Sequence, residues 1–294
     1  MDQPARQYWD SRPGRPLRQP VRLESRRLAG ADILLVHHLP NQPKGKPVLV
    51  LHGIESHPLW FVGSADCLAA AGHDVYQLQR RGSGAAAEDR GHADSPAQLL
   101  ADLDAAATYI LTQTRADALH LLAISWGGKL AAAYALDAAH AAKLADLTLV
   151  APGLAPRVDL TWQAKLRIAL CALVAPRRGF PVPLEDPALF TDTPDRQAYI
   201  REDPYRLQTV TARFLLTSWL LDRRLAGAAA GALNLPVRLI LADRDRIIDN
   251  ARTQAALARL AGENLHVHEL CSAHTLEFEP DPQPFLELLV DALG

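Results

Sequence analysis

The chain has 294 residues, enough for one large domain or two small ones with ample core. Apolar residues make up 49% and charged residues 22%, an ordinary globular balance, and the net charge of -2 offers no footing for nucleic acid or an anionic membrane. Three cysteines, Cys67, Cys171 and Cys271, are too few and too scattered for a disulfide framework or a metal cluster, and they point to thiols in a reducing compartment.

Residues 1–20 are rich in Pro and Arg, lack the apolar core of a signal peptide, and are expected to form a poorly ordered arm. No stretch approaches the ~20 apolar residues of a membrane helix, so a soluble, cytoplasmic protein without an integral membrane segment is expected. Val21 to Leu28 and Asp32 to His38 read as a hairpin around Ala29-Gly30-Ala31. Pro47 to Leu51 is a short buried strand ending in His52-Gly53, followed by a helix from Trp60 to Ala71 and a strand from Asp74 to Gln79. Ser95-Pro96 starts a helix, with a capping residue before a first-turn proline. Leu119 to Ile124 and Leu147 to Ala151 are further strands. Late in the chain, strands at Val237 to Ala242 and Leu265 to Leu270 flank a helix capped by Asn250 and ended by Gly262, and Pro284 to Leu293 is the last helix. Strands alternating with helices imply an α/β fold, a mostly parallel sheet flanked by helices. The alternation breaks between Pro152 and Pro236, where helical patterning runs on with no convincing strand. An inserted helical cap over 155–235, dividing a core of 21–154 and 236–294, is expected there. Its aromatics (Trp162, Phe180, Phe190, Tyr199, Tyr205, Phe214 and Trp219) would mostly make the cap's own small core.

The organising stretch is LHLLAISWGGKLAAAY, residues 119–134. A strand with five apolar residues in six (Leu119, Leu121, Leu122, Ala123 and Ile124) meets a helical pattern of Trp126, Leu130 and Tyr134 with room for only a sharp turn, at whose apex sits Ser125. Such a turn tolerates a strained apical residue only between small neighbours, here Ala123, Gly127 and Gly128. That is the mechanical logic of a nucleophile elbow; the plain alternative is a strand–helix corner with a capping serine.

A serine nucleophile needs a base and a carboxylate to orient it, drawn in an open α/β sheet from loops after later strands. His274 is the histidine in such a loop, after Leu265 to Leu270. The acid must come from Asp243-Arg244-Asp245-Arg246-Ile247-Ile248-Asp249. Asp245 is favoured, because Ile247 and Ile248 should tuck into the core and fix it at the loop's crest. Asp243 is the reserve, and Asp249 reads as a helix cap. The chain order Ser125, Asp245, His274 suits this fold. Oxyanion donors are expected from the backbone N–H groups of Trp126 and Ile54, with His52 supporting the latter's loop. Gly82-Ser83-Gly84-Ala85-Ala86-Ala87 fits a dinucleotide pattern, but it follows an interior strand and no helix succeeds it, so no nucleotide cofactor is expected.

These residues give the chain a resemblance to α/β-hydrolases of the monoacylglycerol lipase and lysophospholipase type, the serine aminopeptidase-like branch. The resemblance runs from His52 to the end. It rests on His52-Gly53-Ile54, Arg81-Gly82-Ser83-Gly84, Ala123-Ile124-Ser125-Trp126-Gly127-Gly128, Asp245-Arg246-Ile247-Ile248-Asp249 and His274. Ala123 replaces the usual Gly, and Gln79 stands where an Asp commonly precedes the Arg-Gly pair; neither change removes a catalytic group. The resemblance again selects Asp245 as the acid. It implies cofactor-free hydrolysis of a small carboxylic ester with an apolar acyl part, through an acyl-enzyme. Thioesterase, aminopeptidase and acyltransferase chemistry share the machinery. An aminopeptidase would need a carboxylate from Glu185, Asp186, Asp192, Asp195, Glu202 or Asp203 to hold the substrate amine. A receptor that keeps the fold without catalysis is the remaining alternative.

Overall fold

The uninterrupted apolar runs of the sequence become the centre of the sheet, because a strand covered on both faces has no solvent side on which to place polar residues. The computed structural model describes residues 3–14, 17–28, 30–86 and 89–293. In chain order these comprise helix α1 (Gln3–Asp10), strands β1 (Val21–Leu28), β2 (Ala31–His38) and β3 (Val48–Leu51), helix α2 (Val62–Ala70), strand β4 (Val75–Leu78) and helix α3 (Pro96–Thr114). Strand β5 (Leu119–Ile124), helices α4 (Trp126–Ala135) and α5 (Ala138–Ala141) and strand β6 (Leu144–Val150) follow. Then come α6 (Trp162–Val174), β7 (Gly179–Pro181), α7 (Pro194–Glu202), β8 (Thr209–Thr211) and α8 (Ala212–Gly227). The chain closes with β9 (Val237–Ala242), α9 (Asn250–Ala261), β10 (Leu265–Leu270) and α10 (Gln283–Leu293).

Eight strands form one sheet in the order β1-β2-β4-β3-β5-β6-β9-β10. From β4 to β10 every neighbour is parallel, while the β1–β2 hairpin adds antiparallel strands at one edge. The tip residue Ala29 of that hairpin, like Ala87 of the glycine-rich stretch, lies outside the described residues. Each residue of β3 and β5 is buried. Helix α2 packs with α10 and α3 with α4, so the apolar stripe of each is shared between the sheet and a neighbouring helix. Ser95 caps α3 by accepting the Gln98 N–H, as the Ser-Pro pair predicts.

Several local expectations need correction. The N-terminal segment, expected to be a poorly ordered arm, contains α1, and its Tyr8 is fully buried against Val36, Leu59 and Val62. The buried Tyr8 ring, its hydrogen bond to His57, and the Arg18 and Gln19 N–H groups held by Asp66 outweigh a Pro- and Arg-rich composition. The helix expected from Trp60 begins as a single 3-10 turn over Pro58–Phe61 before α2. Of the two residues read as caps of α9, Asp249 is the one that caps it, accepting the Arg252 N–H, and Asn250 is the first helical residue.

The excursion between β6 and β9 is mainly helical but holds a two-stranded antiparallel ribbon, β7 with β8, too short to show an alternating pattern in sequence. Only a small cluster of its residues (Ile168, Cys171, Ala172, Phe180 and Ala212) packs on its own. Phe190, Ile200, Leu207, Phe214 and Leu221 join the main core instead, and Trp162 and Trp219 are 70% and 54% exposed. The aromatics expected to make a separate core mostly serve to seat this excursion on the sheet.

Candidate active site

The turn between β5 and α4 forces Ser125 to φ 52° and ψ -126°, a conformation a side-chain-bearing residue adopts only when its surroundings over-determine it. Here they do. The Ser125 N–H donates to the Val150 carbonyl at 2.9 Å, and its own carbonyl accepts from Gly128 at 2.9 Å and Gly153 at 2.8 Å. A Cβ on Gly53 would stand 3.2 Å from the Ser125 Cβ, so the loop after β3 touches the elbow directly. Ala123, at the position where the family pattern has Gly, sits within β5 between Leu51 and Leu149 and its methyl is accommodated there.

Three side chains named from the sequence meet at this turn. The Ser125 hydroxyl lies 3.0 Å from His274 Nε2, and His274 Nδ1 donates to Asp245 Oδ2 at 2.7 Å. Asp243 is turned away and exposed, its carboxylate accepting the Ser272 N–H. The Asp245 carboxylate is fixed on its other oxygen by the N–H groups of Ile247 (2.7 Å) and Ile248 (2.9 Å), both buried as their apolar character requires. Burial alone would raise the Asp245 pKa. The adjoining His274 and these two N–H groups outweigh it, leaving the carboxyl below its ordinary value. A carboxylate so held keeps the imidazole Nδ1 protonated and Nε2 free to accept from Ser125.

Ile54 and Trp126 flank Ser125. Trp126 is the first residue of α4, so its N–H has no partner within the helix. A recess of about 10 Å³, room for one oxygen-sized guest, is lined by Gly53, Ile54, Ser125 and His274 among others. His52 stands behind this loop as expected of a support. Its Nδ1 donates to the Gly53 carbonyl at 2.8 Å and its Nε2 accepts the Arg80 N–H at 3.1 Å. Burial, with the charge of Arg80 second, pushes its pKa well down and keeps it neutral.

Sequence reasoning did not find the groups that brace this loop from further away. The Arg206 guanidinium donates to Glu55 at 2.7 Å, both side chains being buried. His57 donates to Asp203 at 2.9 Å and accepts from the Tyr8 hydroxyl at 3.0 Å. Arg80 donates to the Ile54 carbonyl. Each pair joins residues far apart in the chain, so no spacing announces it. Lys129 carried a faint signal: a lone cation on a helix otherwise apolar all round. It is buried, paired with Asp222 at 2.7 Å, and shares Ser218 Oγ with the Trp126 indole N–H.

Ser125 opens onto a cavity of about 580 Å³ between the sheet and the β6–β9 excursion. Its wall is mostly apolar, with Ile168, Val182, Leu215, Leu216, Trp219 and Ile248 contributing. The carboxylates that line it, Asp159 and Asp222, are paired with Lys165 and Lys129.

The sheet order, the flanking helices and a serine at the β5–α4 corner define the class of this protein as an α/β-hydrolase. Within it the chain belongs to the serine aminopeptidase S33 family of hydrolases, whose sequence model matches residues 42–281. No functionally curated protein matches it in sequence. Among solved structures it is similar to a monoglyceride lipase variant of Saccharomyces cerevisiae, with a TM-score of 0.82 at 17% identity over 95% of this chain and 98% of that one. It is also similar to a monoacylglycerol lipase of Paleococcus ferrophilus (0.76, 19% identity, 89% and 99%) and to a carboxyl esterase of Bacillus coagulans (0.76, 15%, 92% and 97%). At these identities the likeness is one of fold.

Proposed function

We propose that this protein is a serine esterase that cleaves small carboxylic esters with an apolar acyl part, through an acyl-enzyme on a Ser125–His274–Asp245 triad. The observation that carries the reading is the unbroken chain of hydrogen bonds from Asp245 through His274 to a strained Ser125 at the mouth of an apolar cavity. Ser125 Oγ attacks the ester carbonyl as His274 Nε2 takes its proton, and Asp245 stabilises the imidazolium. The oxyanion is received by the N–H groups of Ile54 and Trp126, donors worth about 3 kcal/mol each in the transition state. His274 returns its proton to the leaving alkoxide, then takes one from the water that attacks the acyl-enzyme, and finally restores Ser125.

An apolar wall suits an acyl chain better than a peptide. None of Glu185, Asp186, Asp192, Asp195, Glu202 or Asp203 lines the cavity, and the carboxylates that line it, Asp159 and Asp222, are paired with Lys165 and Lys129. This favours ester over aminopeptide. Residues 155–235 serve in this reading as a cap closing the acyl channel. The three cysteines, all unpaired, fit a cytoplasmic protein.

Labelling with a fluorophosphonate probe tests the chemistry. Wild type should label and Ser125→Ala should not; an unlabelled wild type would overturn the proposal. Rates on p-nitrophenyl esters against matched thioesters, anilides and aminoacyl substrates then test the substrate class, with esters expected to dominate.

A further inference from the structure

Arg80 is the most unusual charge in this molecule. It follows β4 and is 2% exposed. Its Nη2 donates to the Ile54 carbonyl at 3.0 Å and its Nη1 to the Arg81 carbonyl at 3.2 Å, while its Nε is buried with no partner. The guanidinium carbon lies 5.0 Å from the Trp126 ring centre and 4.9 Å from that of Phe214. No Asp or Glu pairs with it among the described residues, and burial alone lowers its pKa to about 9. The neighbouring Arg81 shows the ordinary arrangement, a two-point ion pair with Asp102.

A buried cation without an anion is costly, and a Leu or Met would fill the same space without that penalty. What distinguishes the place is its neighbours. Arg80 touches Ile54 and Trp126, the two residues whose N–H groups the proposed mechanism aims at the oxyanion. Its backbone N–H also holds His52, which in turn holds the Gly53 carbonyl. A fixed positive charge in a dry setting favours negative charge developing nearby and needs no reorganisation at the moment of reaction.

We propose that Arg80 is a positioning residue of the oxyanion hole: the buried guanidinium, bonded to the Ile54 carbonyl and resting on the Trp126 ring, aligns the two N–H donors and sets an unneutralised positive charge behind them. The inference rests on the acyl-enzyme reading above. It assigns the charge a role in the transition state and none in holding the ester before reaction, and this separates it from a simple structural staple.

The full-length wild type is compared with Arg80→Met and Arg80→Lys. Steady-state rates are measured on p-nitrophenyl octanoate. Inhibition is measured with octylboronic acid, which forms a tetrahedral anion on the serine, and with 1-octanol, which fills the cavity and carries no such charge. Arg80→Met should lower kcat roughly ten- to hundredfold with KM within about threefold. Boronate affinity should fall in proportion to kcat, octanol inhibition should be unchanged, and Arg80→Lys should lie between. A folded Arg80→Met with kcat within threefold of wild type, or with boronate and octanol weakened alike, overturns the inference. Should Arg80→Met fail to fold, Arg80→Gln carries the same comparison, since it keeps a donor for the Ile54 carbonyl and drops the charge. A wild type that neither turns over the ester nor binds the boronate overturns the esterase reading, and the role of Arg80 with it.

Discussion

Gly127 lies so close to the loop after β3 that a Cβ there would come within 2.5 Å of the His52 carbonyl oxygen and 2.8 Å of the Leu51 carbonyl. The contact presses the first turn of α4 against the loop that carries Ile54, and these are the two elements that carry the oxyanion donors in the proposed mechanism. A methyl group cannot be absorbed by moving a flexible side chain, because both obstacles are backbone. Gly127→Ala should therefore part the two elements, costing about 1–3 kcal/mol of stability and at least tenfold in kcat. Thermal unfolding and fluorophosphonate labelling rates on the same preparation read the two effects. An Ala variant that labels at the wild-type rate would show that the close approach does not matter to the site.

The choice between two acids two residues apart is open to direct test. Asp245 meets His274 and Asp243 holds only the Ser272 N–H. Asp245→Asn keeps the shape but offers an amide where the imidazole needs an acceptor, and kcat should fall by roughly 10³–10⁴. Asp243→Asn, at an exposed position, should lose less than about tenfold, through slackening of the His274 loop. The reverse ranking would reassign the acid.

How far the sequence could be read depended on the range of the interaction. The sheet and the corner at Ser125 were legible because they follow from neighbours: apolar runs, small residues flanking one serine, and an aliphatic pair after Asp245. Gln79, a departure from the family pattern, also has a local role, its side-chain carbonyl accepting the Ala85 N–H to close the loop after β4. The braces of the site were illegible because they are long-range. Arg206 reaches Glu55 from 151 residues away and Asp203 reaches His57 from 146. The seating of the N-terminal segment was hidden for the same reason, since it depends on Tyr8 reaching His57 and on Asp66 reaching back to the Arg18 and Gln19 N–H groups.

That tyrosine belongs to a network with a predictable response to acid. Asp203 accepts from the Trp60 indole at 2.7 Å, from His57 at 2.9 Å and from the Tyr205 N–H at 2.9 Å. Burial raises its pKa, but the bonds and charge from His57 with the Trp60 and Tyr205 bonds prevail, and the carboxyl lies below its ordinary 3.8. The folded state therefore binds this proton less readily than the unfolded chain does. The stability involved is present above pH 3.8 and is lost as pH falls through the folded value. Asp203→Asn should destabilise by about 2–3 kcal/mol at pH 7, and its deficit against wild type should shrink toward pH 3. Denaturant unfolding at several pH values measures it, and a constant deficit would contradict the assignment.

The cavity sets the last expectation, because its size and lining convert into a rate profile. Each methylene moved from water into an apolar wall is worth about 0.8 kcal/mol, or roughly a fourfold gain in kcat/KM per carbon. The gain should continue until the chain outgrows the space of about 580 Å³. Leu216, half-buried on α8, lines this cavity and makes no hydrogen bond to Ser125, His274 or Asp245, whose bonds run among themselves and to the backbone of Ile247 and Ile248. Leu216→Trp should therefore leave kcat/KM on p-nitrophenyl acetate within about threefold and cut the rate on the longest esters by tenfold or more, moving the optimum to shorter chains. If chain length made no difference in wild type, the cavity would not be the acyl channel. If Leu216→Trp slowed acetate and long esters equally, the side chain would be acting on Ser125 and not on the chain's path.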